Sequence, residues 1–391
     1  MKVLSLFSGI GAFEKALDRL QIKYDLLAYC EIDKYASKSY AAIHGVDESM
    51  NLGDITRVDE KKLPKDIDLL TYGFPCQDIS NSGKQKGLFN EDGSKTRSGL
   101  FFDAHRIIEY VRPRVAIAEN VKNLTSRKFS EEFKIVLESL EQAGYNNYWA
   151  VLNAKSYGIP QNRDRVFIVS IRKDIDTGTF EFPVAFPLKK HLKDLLENEV
   201  DEKYYLSDKT TAYVCATGTK NFSYRPEIDL DVARPLTATM HKMHRAGVDN
   251  YVSDVFIKIG NKCVIENGKP SIMVREATKQ GYAEAHEGDS IKLEHPNSKT
   301  RRGRVGRSVA QTLTTCTQQA VVVKQETEFL RIRKLTPKEC FRLMGFDDSD
   351  FEKAQSVSSN TQLYKQAGNS IVVDVVKYII QSLIECGALN T

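Results

Sequence analysis

The chain has 391 residues, 41% of them hydrophobic and 28% charged, with a formal net charge of +4. That length holds one large core or two modest domains, and a charge so near balance permits a nucleic-acid partner without indicating one. No apolar run approaches the roughly 18–20 residues that cross a bilayer, and the opening Met1-Lys2-Val3-Leu4-Ser5-Leu6-Phe7 is short and runs straight into a glycine turn, so no membrane span, no signal peptide and a cytoplasmic location are expected.

In chain order, residues 2–7 read as a strand ending in Ser8-Gly9-Ile10-Gly11. A helix follows, with Phe13, Ala16, Leu17 and Leu20 on one face. Residues 26–31 read as a second strand, 34–44 as a helix, 67–74 as a strand, 101–110 as a helix before Pro113, and 115–119 as a strand. Ser130 is placed as the cap of a helix whose apolar face is Phe133, Val136, Leu137 and Leu140 and whose stop is Gly144. Residues 148–154 and 165–172 read as two strands joined by a polar turn. Strands alternating with crossover helices predict an α/β fold, a doubly wound and mostly parallel sheet whose ligands sit at the carboxyl ends of its strands.

From 174 the rhythm changes to Pro, Gly, Thr and basic residues with short apolar runs, which predicts a smaller, irregular, β-rich domain. Thr336-Pro337-Lys338-Glu339 then starts a helix, with Thr as cap, Pro first and Glu third, and residues 370–385 form an apolar helix long enough to dock on a core. The expected organisation is a first domain over 1–173, a second over 174–330, and a return segment over 331–391 that packs on the first. Within the second, Arg234-Pro-Leu-Thr-Ala-Thr239 and Thr312-Leu-Thr-Thr315 echo each other, too briefly to be called a repeat.

The seven cysteines, at 30, 76, 215, 263, 316, 340 and 386, are scattered and include no C-x-x-C pair. That argues against a disulfide framework or a structural zinc site and for a reducing compartment, so a functional cysteine must be found by its surroundings. Cys76 stands out. It lies in Gly73-Phe74-Pro75-Cys76-Gln77, directly after an apolar strand, where proline fixes the backbone and glycine leaves room for a flat ligand. A free thiol titrates near 8.5, so a nucleophilic role needs positive charge nearby.

More clusters stand at strand ends, the last of them, residues 161–165, leading into a strand. Phe7-Ser8-Gly9-Ile10-Gly11 lets the backbone approach a ligand at a helix N-terminus. Glu31 at the end of the second strand is placed to hold a ribose hydroxyl pair, and Asp54, read as ending a third strand, to accept from an adenine amino group. Glu119-Asn120-Val121 and Gln161-Asn162-Arg163-Asp164-Arg165 offer a carboxylate and guanidinium groups that a doubly wound sheet can bring to the same edge as Cys76.

In this order and over nearly the whole chain, these blocks resemble the bacterial and phage DNA (cytosine-5)-methyltransferases. Further matches are Gly99-Leu100-Phe101-Phe102, the stretch from Arg333 to Phe346, and Gln366-Ala-Gly-Asn369-Ser370. Lys338 stands where the family often has arginine, and Met344 where it often has glutamine. The resemblance implies S-adenosylmethionine as cofactor, contacted by Phe7, Ser8, Gly9, Ile10, Gly11, Glu31, Ile32, Asp54, Ile55, Gly73, Pro75, Leu100, Asn369 and Ser370. It implies that Cys76 adds to C6 of a cytosine flipped out of duplex DNA. Glu119 would then bind N3 and the exocyclic amine, and Arg165, with Arg163, would hold O2 or a phosphate.

The polar segment 77–98, with Gln77, Ser80, Ser82 and Lys84, is placed as a lid over DNA; a plain surface loop fits its composition equally well. Arg301, Arg302, Arg304 and Arg307 in a basic run are candidate phosphate contacts, with a solvated charge cluster as the equal alternative. Arg234, Thr237, Thr239, His241, Thr312 and Thr314 are candidates for base or backbone contacts. His241 and His244 have no acid or cysteine to complete a metal site, so no metal is expected. A monomer paired with a restriction endonuclease in a bacterial or phage-infected cell is implied. The alternative substrate is tRNA, against which the absence of a Cys-Phe-Thr stretch weighs. A catalytically dead relative would lack Cys76, Glu119 or Arg165, and a dehydrogenase leaves the Pro-Cys block unexplained.

Overall fold

Alternation of burial along the strands builds the fold. In the computed structural model, which describes all residues except 81–84, 216–217, 220–221, 224–226, 243–244, 246, 260–263, 267–268, 277–281, 287–288, 293–303, 308–318, 322–325 and 391, a six-stranded sheet runs in the order β2-β1-β3-β4-β6-β5. Its strands are β1 (Lys2–Leu6), β2 (Asp25–Cys30), β3 (Leu69–Tyr72), β4 (Val115–Val121), β5 (Tyr145–Asn153) and β6 (Asp164–Arg172). The first four are mutually parallel, β6 runs antiparallel to β4, and β5 closes the edge as a hairpin with β6.

Successive residues point to opposite faces. Val3, Leu69, Val115, Ile117 and Val169 enter one apolar core, and Leu4, Leu70, Ala116, Ala118 and Ile168 enter the other. Burial on both faces explains why the strands read as continuous apolar runs. The second core is closed by α3 (Phe101–Val111) and α4 (Ser130–Gln142), through Phe101, Ile107, Ile108, Val136 and Leu140. The first is closed by α1 (Ala12–Arg19), α2 (Lys34–His44) and the returning chain.

That return comprises α6 (Pro337–Leu343), α7 (Asp348–Val357), α8 (Asn360–Asn369) and α9 (Val373–Glu385); a short α5 (Asp208–Cys215) precedes it. Thr336 and Glu339 form the expected reciprocal cap of α6. On α9, Val376, Ile379, Ile380 and Leu383 are fully buried, each contributing up to about 1.5–3 kcal/mol. Arg19 of α1 ties α9 down through Asp374 at 2.9 Å. By length and composition the stretch Asn360–Glu385 would suffice to cross a bilayer, but its apolar residues belong to this core.

Three local expectations change. Ser370 ends α8 rather than starting α9. Ser130 is already inside α4 and donates to the Arg127 carbonyl at 3.1 Å instead of capping. Asp54 follows no strand: Asn51 makes a single bridge to Tyr29, and Asp54 caps the one-turn helix Ile55–Arg57.

Contacts divide the chain into Met1–Val252 with Lys334–Thr391, and Ser253–Arg333. The strands of the sheet stop at Arg172, but Phe180, Leu192, Ala233 and Leu236 still enter the core beside α1 and α9. They do so from irregular backbone, where no periodicity reveals them. In the second unit, Val264–Glu266, Lys269–Arg275 and Tyr282–Ala285 form one antiparallel ladder, and Arg304–Gly306, Ser290–Lys292 and Gln319–Val321 another. Val274, Ala285 and Ile291 are buried together there.

Candidate active site

The carboxyl ends of β1 to β4 hold two clusters. On the β1–β2 side, Phe7, Gly9 and Gly11 take positive φ values of 51°, 58° and 80°, so the loop exposes its backbone. The Gly9 amide donates to Glu31 Oε2 at 2.8 Å, and the Asp33 amide donates to Glu31 Oε1 at 2.8 Å. Burial raises the Glu31 carboxyl above its usual range against those two donors. A Cβ on Gly9 would meet open space, whereas one on Gly11 would lie 2.0 Å from His44 Nε2, which itself bonds the Ile10 carbonyl at 3.1 Å.

Beside Glu31, Ile32 is 74% exposed. Asp54 uses Oδ1 on the Thr56 amide and hydroxyl, at 3.0 and 2.8 Å. Buried Ile55 is held through its carbonyl by Arg106 of α3. One cavity is lined by Phe7, Ser8, Gly73, Glu119, Asn369 and Ser370 together with Leu6, Ala12, Phe13 and Ile371. It joins the glycine loop, the α8 terminus and the carboxylate of the second cluster. Leu100 stands at the head of α3.

On the β3–β4 side, β3 runs out through Gly73, Phe74 and Pro75 to Cys76, which is partly exposed. Asn120 donates to the Phe74 carbonyl at 3.0 Å and Asn123 to that of Ile79 at 2.6 Å, so β4 and the helical turn after it hold the cysteine turn from both sides. Glu119 sits one residue earlier, and β6 crosses antiparallel with Val121 opposite Arg165. Arg165 Nε meets Glu119 Oε1 at 2.8 Å. A Cβ on Gly73 would lie 3.3 Å from the Ile371 side chain and 3.8 Å from Glu119 Oε2, so Gly73 packs directly beside both. Burial and then Glu119 push the Cys76 thiol up, while Arg165 and Arg163 pull it down. Burial likewise pushes the Glu119 carboxyl up against the same two arginines.

Arg163 differs from Arg165. It is 3% exposed, and its terminal nitrogens donate to the carbonyls of Leu236, Gly368 and Ser370. Its Nε is buried without a hydrogen-bond partner among the described residues. Burial lowers it to about 9, which leaves it cationic at neutral pH. Gln161 completes the junction by accepting from the Leu236 amide and donating to the Leu343 carbonyl. Gly368 has no side chain because the Thr237–Ala238 backbone fills that space, at 2.3 Å from a Cβ.

Of the candidate DNA contacts, Gln77 and Thr239 are exposed, and Ser80 is half-buried. Arg234 is engaged by Glu227 and the Asp249 carbonyl, Thr237 accepts from Arg245, and burial lowers the half-buried His241 imidazole. Arg304 and Arg307 are exposed, and Arg307 pairs with Asp289 at 3.3 Å. Ser82, Lys84, His244, Arg301, Arg302, Thr312 and Thr314 lie outside the described residues. Around the cysteine turn, Asp78 accepts from the Arg97 backbone and guanidinium at 3.1–3.2 Å, which pins segment 77–98 at its base. Among the described residues no group of three metal-ligating side chains occurs. Asn51, His44, Arg106, Asn123 and the Asp78–Arg97 pair were not singled out in the sequence, and no local pattern marks them.

The model of the C-5 cytosine-specific DNA methylases matches residues 1–385. The chain belongs to that family. The orphan methyltransferase M.SPRI of Bacillus phage SPR is 34% identical over 98% of this chain and 97% of its own. The type II methyltransferase M.HhaI of Haemophilus parahaemolyticus is 30% identical over 98% and 94%. Among solved structures, the Schizosaccharomyces pombe Dnmt2 methyltransferase shares the fold with a TM-score of 0.59 at 21% identity, covering 98% of both chains. The cytosine methyltransferase is therefore an enzyme built on this sheet, with DNA as its substrate class.

Proposed function

We propose that this methyltransferase uses S-adenosylmethionine to methylate C5 of a cytosine extruded from a specific duplex DNA sequence, with Cys76 as the nucleophile. The observation that carries the reading is the convergence of Cys76, Glu119 and Arg165 at the ends of adjacent strands, with Glu119 and Arg165 paired at 2.8 Å and both biasing the thiol.

The donor set fits the cofactor. Glu31 suits two ribose hydroxyls, Asp54 an amino group, Ile32 and Ile55 an aromatic ring. The open Gly9 backbone, the α1 N-terminus and Asn369 with Ser370 suit the amino-acid end. Bound there, S-adenosylmethionine supplies a methyl group on a cationic sulfur, within reach of a carbon made electron-rich.

Cytosine C5 is too electron-poor to react unaided. The Cys76 thiolate adds to C6, which breaks the aromaticity and moves the C5–C6 π pair onto C5. Glu119, whose carboxyl is pushed up by burial against the two arginines, hydrogen-bonds the exocyclic amine and shares a proton with N3, and so favours that addition. Arg165 holds the base O2 or a flanking phosphate and helps keep Cys76 ionised. After methylation the C5 proton leaves and the Cys76–C6 bond breaks, returning the thiolate. Attack perpendicular to the ring requires the base out of the stack, at a cost of a few kcal/mol. Arg163 supports this set from beneath, through backbone carbonyls. The second unit, with Arg304 and Arg307, is the proposed reader of sequence.

The whole residue set lies on one chain, which suits a monomer. Its role is that of a modification enzyme of a bacterial or phage-infected cell's cytoplasm, either partnered by a restriction endonuclease or, like M.SPRI by its name, an orphan. Bisulfite sequencing of DNA from cells expressing the protein, beside methyl transfer to duplex DNA and to tRNA in vitro, tests the reading. C5-methylated cytosine at one short DNA sequence is the expected result; transfer to tRNA alone would overturn the substrate, and transfer to neither the activity.

A further inference from the structure

We infer that Asn51 is a positioning residue that sets the spacing between the ribose-binding and adenine-binding acids, and that it thereby determines the enzyme's preference for a ribosyl over a deoxyribosyl cofactor. The inference rests on the cofactor reading above and deepens it.

A primary amide has two acceptor sites and two donor hydrogens, and Asn51 uses all four. Its Oδ1 accepts from the amides of Glu31 and Gly53, both at 2.9 Å. Its Nδ2 donates to the Glu31 carbonyl and to the Ser37 hydroxyl, both at 2.9 Å. Glu31 is thus gripped through both its backbone N–H and its C=O, which fixes the direction in which its carboxylate leaves the chain. Gly53, at a φ of 73°, is the pivot that delivers Asp54 and Ile55, and the same Asn51 oxygen holds it. Backbone pairing with Tyr29, by a 2.7 Å bond from the Leu52 amide, keeps Asn51 in register with β2. Ser37 is buried and bonds Tyr29 as well, so the clamp is anchored in the core.

The two acids must match a nucleoside whose hydroxyls and amino group are separated by a rigid framework. A single side chain bonded to the backbone of both cofactor elements fixes that separation. The Asn51 amide spends all four of its bonds on the chain, so it acts through Glu31 and Asp54. Without the amide, Glu31 loses its aim, and the energy it contributes to a 2′-hydroxyl falls first, because a short hydrogen bond weakens steeply with misalignment.

The test is calorimetric binding of S-adenosylhomocysteine and its 2′-deoxy analogue to the full chain and to Asn51→Ala. The wild type should prefer the ribosyl compound. Asn51→Ala should bind S-adenosylhomocysteine on the order of 10–100-fold more weakly, the scale of a misplaced binding group, and should lose most of that preference. Two further results would overturn the inference: unchanged affinities, or equal weakening of both ligands with the preference kept, which marks mere stabilisation. Ser37→Ala removes one of the four bonds and should move the preference a few-fold the same way. If Asn51→Ala fails to fold, an unchanged preference in Ser37→Ala overturns the inference. A wild type that binds neither ligand overturns both this and the cofactor reading, whereas a wild type that binds both ligands equally well overturns this alone.

Discussion

The two sides of the sheet edge are built on opposite plans. Where β1 and β2 end, acids turn their oxygens toward the protein's own backbone: Glu31 accepts from Gly9 and Asp33, and Asp54 from Thr56. Where β3, β4 and β6 end, side chains face side chains, with Glu119 against Arg165 beside a partly exposed thiol. A binding site gains from groups locked before the ligand arrives, because less ordering remains to be done on binding. A reacting site needs groups whose protonation can change, and those are held by each other's charge. Substitutions on the first side should change affinity and fold. Those on the second should change rate while leaving the fold alone.

The largest effect expected is that of Cys76→Ser. Methyl transfer should fall by at least about 10³-fold, while the melting temperature and the affinity for duplex DNA stay near wild type. Single-turnover transfer of labelled methyl groups measures the first, and a filter-binding titration the second. A variant that still turns over near the wild-type rate would remove the nucleophile from the proposed mechanism.

Glu119→Gln should cost about 10²–10⁴-fold in rate, the range of a lost acid–base group, and it also reads the electrostatics directly. The Glu119 carboxylate raises the Cys76 thiol and Arg165 lowers it. Deleting the negative charge therefore moves the pH midpoint of Cys76 alkylation by iodoacetamide downward, and Arg165→Gln moves it upward. Shifts in the same direction for both variants would mean that the thiol does not lie between the two charges.

The two arginines sharpen the comparison, because they lie two positions apart and follow different plans. Arg163→Met strands three buried carbonyls and should cost on the order of 2–3 kcal/mol in unfolding free energy, seen as a lower denaturant midpoint. Arg165→Met should leave that midpoint nearly unchanged and lose rate. Equal stability losses would place both in the same structural role.

The sequence makes the four parallel strands and their helices legible, because burial on both faces forces apolar runs and one-faced helices. The residues proposed to react stand out as polar groups at strand ends: Cys76 beyond β3, Glu119 near the end of β4 and Arg165 at the start of β6. What escapes is anything made by distant backbone. Gln161 meets Leu343 at a separation of 182 residues, and Arg163 meets Ser370 at 207. A polar residue before a strand carries no mark of which carbonyl it will find. The segment from 174 to 252 hides its share of the core for a related reason: Phe180 and Leu236 are buried from irregular chain and Leu192 from a single helical turn. Glu31 and Asp54 are visible as acids, but Asn51, which orients both, is one amide among many.

The smallest expected effect separates two glycines of one loop. Gly9 and Gly11 both take positive φ, so alanine at either costs about 1 kcal/mol in backbone strain. At Gly9 the added methyl meets nothing within 4 Å of the chain, so stability should fall by little more than that, while affinity for S-adenosylhomocysteine drops because the methyl occupies ligand space. At Gly11 the methyl would lie 2.0 Å from His44 and 2.9 Å from Tyr40, and overpacking adds about 1–3 kcal/mol. His44 must then move and release the Ile10 carbonyl. Thermal melts with and without S-adenosylhomocysteine distinguish the two: Gly9→Ala should lose mainly the ligand's stabilisation, and Gly11→Ala the ligand-free stability as well. If Gly9→Ala kept full affinity, the open space above that glycine would not be where the cofactor lies, and the contrast between a pre-locked binding side and a poised reacting side would lose its first term.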